Sequence, residues 1–447
     1  MNRVALKLVD TGLQLVSPGG RLSRPSPGFA MIDGRELVVG RDAERSARLN
    51  PRRLHSLFWQ DLGTVPLGRP FPGYLRSADL AHAHLKSVWE ADGGDAGEVI
   101  VAVPGVYSDD QLALLLGIAR ELQIPVRGLI DAAVAAAADR ELESHVLHLD
   151  LHQHRAVLTE LDHGDEIVRR SVRTENRFGL LTLRDIWARV IAQTFVRSTR
   201  FDPLHVAATE QVLYDQLADH LEVLAKKDST TLRIESGGRQ HVVEVERSRI
   251  VEAAMPSYDS LRSLVVEQEY TRATTLLISH STAALPGVVD HLSEHTGFDV
   301  VVLHQAAAAS GALAHADRVR SSDTALTMIT RLPGLDARPP GPVTIPMTPP
   351  AGGGRHLPTH LVVHGVAHRI DSELLILGPA GIEDRPNPGQ AQATVCRLAG
   401  QVVLDAQPGS GVTVNGDMAE GRTALAAGDR LRLRGAESEV LVVAMAG

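Results

Sequence analysis

The sequence predicts a mixed α/β unit in two lobes followed by a separate all-β sandwich, and three observations carry that expectation. Before about residue 331, strand-like apolar runs alternate with stretches of helical spacing. Over 331–358, RLPGLDARPPGPVTIPMTPPAGGGRHLP, proline and glycine are dense, charge is sparse and no periodic apolar face exists, which is the composition of a linker. Beyond it come only short strand-like runs separated by turn residues at roughly 8–12-residue spacing. The expected boundaries are 1–325 for the α/β unit, 326–358 for the linker and 359–447 for the sandwich.

Taken in order, Met1 to Leu15 reads as a strand and turn, Glu36 to Val39 as a strand and Val99 to Val103 as a buried strand. Asp109 to Leu122 places Leu112, Leu115, Leu116 and Ala119 at helical spacing, after a Ser108-Asp109-Asp110-Gln111 helix start. Ile130 to Ala138 reads as an alanine-rich helix, His145 to Leu161 as a strand and hairpin, and helices dominate from there to about Ala225. TTLRIES and HVVEVE alternate with period two around Gly237-Gly238, the signature of a hairpin. A helix, a strand at Thr274 to Ile278, a helix at Ala283 to His295, a strand at Asp299 to Leu303 and a small-residue helix from Gln305 complete the unit. After the linker, THLVVHG, ELLILG, ATVCRLAG, QVVLDA, GVTVNG, RLRLRG and EVLVVA supply the sandwich strands.

Composition narrows the function classes. The 447 residues include 45 Lys and Arg against 54 Asp and Glu, a net charge of −9 that disfavours nucleic acid and anionic membrane as partners and leaves a protein partner as the leading expectation. With 7 Phe, 5 Tyr and 3 Trp there is little to stack on bases, so the cores must be built from Ala, Val and Leu. A single cysteine, Cys396, permits no internal disulfide or Cys-based metal cluster. No stretch has the length of a spanning helix and the N-terminus does not read as a signal peptide, so a cytoplasmic protein is expected.

The segment VAVPGVYSDDQLALLLGIARELQIPVRGLIDAAVAAAAD, Val101 to Asp139, resembles the DnaK-type heat-shock chaperones: strand, Pro104, helix start, amphipathic helix, short strand, then a helix of small residues. LVVGRDAERSARLNP upstream, TTLLISHSTAALPGVVDHL and AAAASGALAHA downstream extend the resemblance over most of residues 1–322. It implies the actin-like ATPase fold, two lobes around a cleft for ATP or ADP with Mg²⁺. Such a cleft needs glycine-rich turns whose N–H groups approach phosphate and carboxylates that hold the metal through water.

By this resemblance the first phosphate loop keeps Asp10 and Gly12 but continues with Leu13, Gln14 and Leu15 in place of small and hydroxyl residues. The second keeps Asp150, while His152, Gln153, His154 and Arg155 stand where a Gly-Gly-Gly-Thr run belongs. The adenosine motif has Ser279-His280-Ser281 for Gly-Gly-Ser, and Asp131 takes the place of a glutamate that positions the attacking water. By looser alignment Val65 replaces the lysine near the γ-phosphate, and Leu221 and Glu222 the basic residues around adenine. Two readings follow. In an active enzyme, Asp10, Asp131 and Asp150 are catalytic, Asp10 and Asp150 hold Mg²⁺, and Gly12, His152, His154, Arg155, Ser279, His280 and Ser281 contact nucleotide. In a pseudo-ATPase the fold is kept and hydrolysis lost, no cofactor is required, and the losses at three separate loops favour this one. If the strand ran on past Asp150, His148, Asp150, His152 and His154 would share a face suited to Zn²⁺; scattered surface histidines, among 20 in the chain, are the favoured explanation.

Residues 359–446 resemble forkhead-associated (FHA) domains, through ELLILG, ATVCRL, GSGVTVNG and ALAAGDRLRL. That resemblance implies phosphothreonine recognition, which needs charge-assisted donors in the loops. Pro379 stands where an arginine belongs, Gly389 and Gln392 where serine and histidine belong, and Ser410 where an asparagine belongs. Arg385, Ser410 and Asn415 are the remaining candidates for a rerouted phosphopeptide site. The expectation is therefore a chaperone-like or scaffolding protein, with an ATP-hydrolysing chaperone or switch and a phosphothreonine adaptor as alternatives, and with self-assembly open.

Overall fold

The computed structural model describes residues 2–34, 36–68, 71, 75–94, 96–138, 140–267, 273–320 and 327–334, and in the C-terminal part 358–363, 366–370, 375–378, 381–382, 392–398, 401–407, 410–419, 421–434 and 440–443. The chain divides into two compact units, Met1–Ala337 and Arg338–Gly447.

The first unit is mixed α/β. Its strands are β1 (Arg3–Lys7), β2 (Gln14–Val16), β3 (Ala30–Asp33), β4 (Glu36–Val39), β5 (Leu54–His55), β6 (Glu98–Val103), β7 (Val126–Asp131), β8 (His145–Leu151), β9 (Ala156–His163), β10 (Glu166–Glu175), β11 (Ser229–Ser236), β12 (Arg239–Glu246), β13 (Thr274–Ile278), β14 (Asp299–Val302), β15 (Met328–Ile329) and β16 (Arg331–Pro333). The helices are α1 (Arg41–Glu44), α2 (Ser77–Asp92), α3 (Asp109–Glu121), α4 (Ala132–Ala137), α5 (Leu180–Thr199), α6 (Ala207–Leu224), α7 (Arg247–Val266), α8 (His280–Ala283), α9 (Val288–Thr296), α10 (Ala307–Ala314) and α11 (Ala316–Val319).

Two sheets share one plan. In the first, ordered β15-β7-β6-β1-β2, the hairpin partner β2 runs antiparallel to β1, while β6, β7 and β15 run parallel. In the second, ordered β14-β13-β8-β9-β10-β16, the β8-β9-β10 meander is antiparallel and β13 and β14 run parallel to β8. Parallel neighbours require crossovers, supplied by α3 between β6 and β7 and by α8 and α9 between β13 and β14. The Ser108 hydroxyl and the Gln111 side chain form a reciprocal capping box at the start of α3, as the sequence implies.

The alanine-rich helices α4 and α10 pack between the sheets, and their small side chains share a core with Ala5, Ile100 and Ile130 of the first sheet and Val146, Leu161 and Leu277 of the second. The approach is close enough that a Cβ on Gly311 would overlap the Ala135 carbonyl oxygen, so glycine is required there. A second core under the β8 sheet gathers Trp187, Phe195 and Tyr258 with Leu213, Leu217 and Leu221.

Five features depart from the sequence reading. β10 is a strand where helices were expected to begin; its RRSVR run carries no alternating apolar face, because the strand is only half-buried. α2 has no counterpart in the sequence reading. The helix expected over Ala283 to His295 is two, broken at Pro286-Gly287, where Gly287 has φ 80°, and Ile130 and Asp131 end β7 rather than begin α4. The expected linker from 326 contains two strands: β15 pairs with β7 in the first sheet and β16 with β10 in the second, so residues 328–333 add an edge to each.

The second unit consists of small antiparallel sheets. Leu361, Leu431, Val440 and Val442 from one sheet and Leu377, Val395, Leu404 and Leu425 from the other form a single core. Residues 338–447 contain no Phe, Tyr or Trp, so this core is aliphatic throughout.

Candidate functional site

The turns after β1 and β8 meet, and they carry the two sets of residues that the resemblance assigns to phosphate. Asp10 is buried, and its Oδ1 accepts the backbone N–H of Gln153 at 3.0 Å. The Gln153 side chain is turned the same way, its Nε2 donating to the Asp10 carbonyl oxygen at 2.9 Å. His152 lies between the carboxylates, with Nδ1 3.7 Å from Asp10 Oδ1 and Nε2 3.9 Å from Asp150 Oδ2. Three further loop N–H groups are also engaged: Gly12 donates to Val9, Leu13 to Ser26 and His152 to Arg155, all on backbone carbonyls. A Cβ at Gly12 would sit 2.8 Å from Pro25 Cβ, and one at Gly179 2.5 Å from the Arg155 backbone nitrogen, so packing accounts for both glycines.

Asp150 accepts the Ser279 hydroxyl at 2.6 Å, and Ser279 Oγ also contacts Thr282 Oγ1 at 2.8 Å and Ser281 Oγ at 3.2 Å. Burial pushes the Asp150 carboxyl up, but His152, Lys7, His148 and the Ser279 hydroxyl outweigh it and hold it below the ordinary carboxylate range. The neighbouring His148 is driven down by burial, against the pull of Asp150 and Asp131. His280, by contrast, is exposed.

Asp131 is fully buried and does other work. Its Oδ1 caps α4 by accepting the Ala133 and Val134 N–H groups at 2.8 and 3.2 Å, and its Oδ2 pairs with Arg169 at 2.9 Å. Arg169 also donates to the Gly105 carbonyl, so this carboxylate ties β10 to α4 and to the loop after β6. His154 is held by Ser56 at 2.9 Å. Arg155 is buried, and among the described residues its guanidinium has neither a hydrogen-bond nor an ion-pair partner.

A second bridge joins α1 and its following turn to α5 and α6. The Arg48 guanidinium lies 2.7 Å from Asp185 and 3.7 Å from Glu210, and stacks 3.6 Å from the Tyr214 ring centre. The Arg48 amide donates to Gln211, whose own side chain donates to the Glu44 carbonyl, and Arg184 pairs with Glu44 at 2.8 Å. Sequence reasoning gave no sign of this clasp, because each member is an ordinary surface-type residue until the fold brings it to its partner.

Of the looser assignments, Val65 is 79% exposed, Leu221 is buried in the core and Glu222 pairs with Lys226 on the helix surface. Among the described residues no group of three or more His, Cys, Asp or Glu side chains is placed to hold a metal ion. No helix among them is long and apolar enough to cross a membrane. Neither family models nor curated proteins match the chain.

In the second unit, Asn415 has φ 54° and is a turn residue: its side chain donates to Asp429 at 2.8 Å and accepts the Arg430 N–H at 2.9 Å. Gln392 makes two 2.7 Å bonds to the backbone of Arg434. The Ser410 hydroxyl is buried without a partner among the described residues. Arg385, Pro379 and Gly389 lie outside the described residues.

Proposed function

We propose that the protein is a DnaK-related, actin-like pseudo-ATPase that works as a chaperone-like or scaffolding interaction protein, with the second unit an FHA-like module. Two sheets of one plan, joined by crossing alanine-rich helices and with their β1 and β8 turns face to face, support the actin-like reading. The observation that carries the loss of catalysis is the pair of hydrogen bonds between Gln153 and Asp10, with His152 filling the gap to Asp150. A magnesium triphosphate does not fit these residues. The Gly12, Leu13, His152 and Gln153 N–H groups are bonded to protein acceptors, and the His152 side chain lies between the two carboxylates that would hold a hydrated metal.

Calorimetric titration with Mg-ATP and Mg-ADP, run beside a turnover assay, tests this. No saturable heat and no hydrolysis are expected, and tight binding with turnover overturns the reading. Arg155 favours a second reading, an ATP-binding switch, because its side chain is largely buried, its Nε has no hydrogen-bond partner among the described residues, and a guanidinium so placed suits an anion. The same titration decides between them.

A further inference from the structure

A small pit lies beside Asp150, walled largely by apolar residues such as Val9, Pro104, Ala132 and Leu303. Its volume is about 30 Å³, and Lys7, His148, Asp150, His280, His304 and the first turn of α10 line it; Asp10, His152 and Gln153 do not. That is room for a small ion and far too little for a nucleotide.

The lining holds an unpaired cation and imidazole donors. Lys7 ends β1, with Val4, Ala5 and Leu6 before it and Leu8 and Val9 after it; it is half-buried and makes no hydrogen bond or ion pair with a described residue. His148, at the floor, is 7% exposed and likewise has no partner among the described residues, an unusual state for a buried imidazole. His280 and His304 stand exposed at the rim. The only acid in the lining is Asp150, and it is already engaged by the Ser279 hydroxyl on one oxygen and faced by His152 on the other. Arg140, anchored on the Ala136 carbonyl, adds positive potential beside His304. No side chain caps the first turn of α10; the Ala307 N–H donates to the His304 carbonyl at 3.0 Å, and the Ala308 and Ala309 N–H groups carry the positive end of the helix dipole.

We infer that this pit binds one small oxyanion, of the size of inorganic phosphate or a carboxylate group, between Lys7, His148, His304 and the N-terminus of α10. The pit shares Asp150 and the Ser279-His280 turn with the nucleotide reading, but the inference uses neither the Asp10–Gln153 contact nor Arg155, on which the pseudo-ATPase reading turns.

The test is calorimetric titration of the full chain with inorganic phosphate, with acetate as a planar comparison, in chloride buffer. One saturable site is expected, weakened about tenfold or more in Lys7→Met, because a charge-assisted hydrogen bond contributes ~1.5–3 kcal/mol. His304→Gln, at the exposed rim, is expected to weaken binding severalfold without disturbing the fold, so it carries the test if Lys7→Met does not fold. Absence of saturable binding of either anion overturns the inference, as does equal binding by the parent, Lys7→Met and His304→Gln. Loss of phosphate binding in Arg155→Met with Lys7→Met unaffected also overturns it, by placing the anion in the loops. Phosphate binding without Mg-ATP binding supports both readings, and Mg-ATP turnover removes the pseudo-ATPase reading alone.

Discussion

In both units, residues at ligand positions hold the protein itself, but over different distances. Asp10 and Gln153 are far apart in sequence and join two sheets through buried bonds, whereas Asn415 and Asp429 close one exposed turn. A buried bond between the two sheets cannot be replaced by water, while an exposed turn bond can. The buried join therefore carries a strong structural dependence in the first unit, and the exposed turn a weak one in the second.

The largest expected effect comes from breaking the buried join. Asp10→Ala strands the Gln153 N–H, and an unsatisfied buried donor costs about 2–3 kcal/mol. All three tryptophans, Trp59, Trp89 and Trp187, lie in the first unit, so denaturant unfolding followed by tryptophan emission reads this loss directly. A loss of only a few tenths of a kcal/mol would mean that the turns are not held by this contact, and the contrast between the units would fail.

The clasp at Arg48 tests whether exposure sets the size of such effects. Its guanidinium is partly exposed, so Arg48→Ala is expected to destabilise by about 1–2 kcal/mol, from partly screened ion pairs and the stack on Tyr214. The loss should shrink near 1 M salt, where screening acts over ~3 Å, while the Asp10→Ala loss should not. Equal salt sensitivity of the two variants would remove the distinction between a buried join and a surface one.

The sequence made the fold class readable because period and punctuation are local properties. Leu112, Leu115 and Ala119 mark α3, and Gly237-Gly238 marks the β11–β12 hairpin, with no need of tertiary information. β10 was not readable, since a half-buried strand with Arg169, Arg170 and Arg173 has no apolar alternation. At the site, the replacement of glycines by His152, Gln153, His154 and Arg155 was visible as a departure from the resemblance. What those side chains do instead was not, because Asp10 meets Gln153 only once both sheets are built. Lys7 did carry a signal, a charge with apolar residues on both sides of it, whereas Arg48 and Tyr214 carried none.

The smallest effect belongs to the turn at Asn415. Its backbone lies in the left-handed region, where a Cβ-bearing residue other than Asn or Asp is strained, and its side chain bridges to Asp429 and the Arg430 amide. Asn415→Ala loses both contributions and is expected to cost about 1 kcal/mol. Asn415→Gly accepts the conformation and loses only the exposed bonds, a few tenths of a kcal/mol. No tryptophan or tyrosine lies in 338–447, so the readout is hydrogen exchange of the 410–434 amides, which should rise more in the alanine variant than in the glycine variant. If the two variants exchange alike, the side-chain bonds rather than the backbone hold the turn. Asn415 would then resemble Asp10 more closely than its exposure implies, and the contrast between buried and exposed recruitment would narrow accordingly.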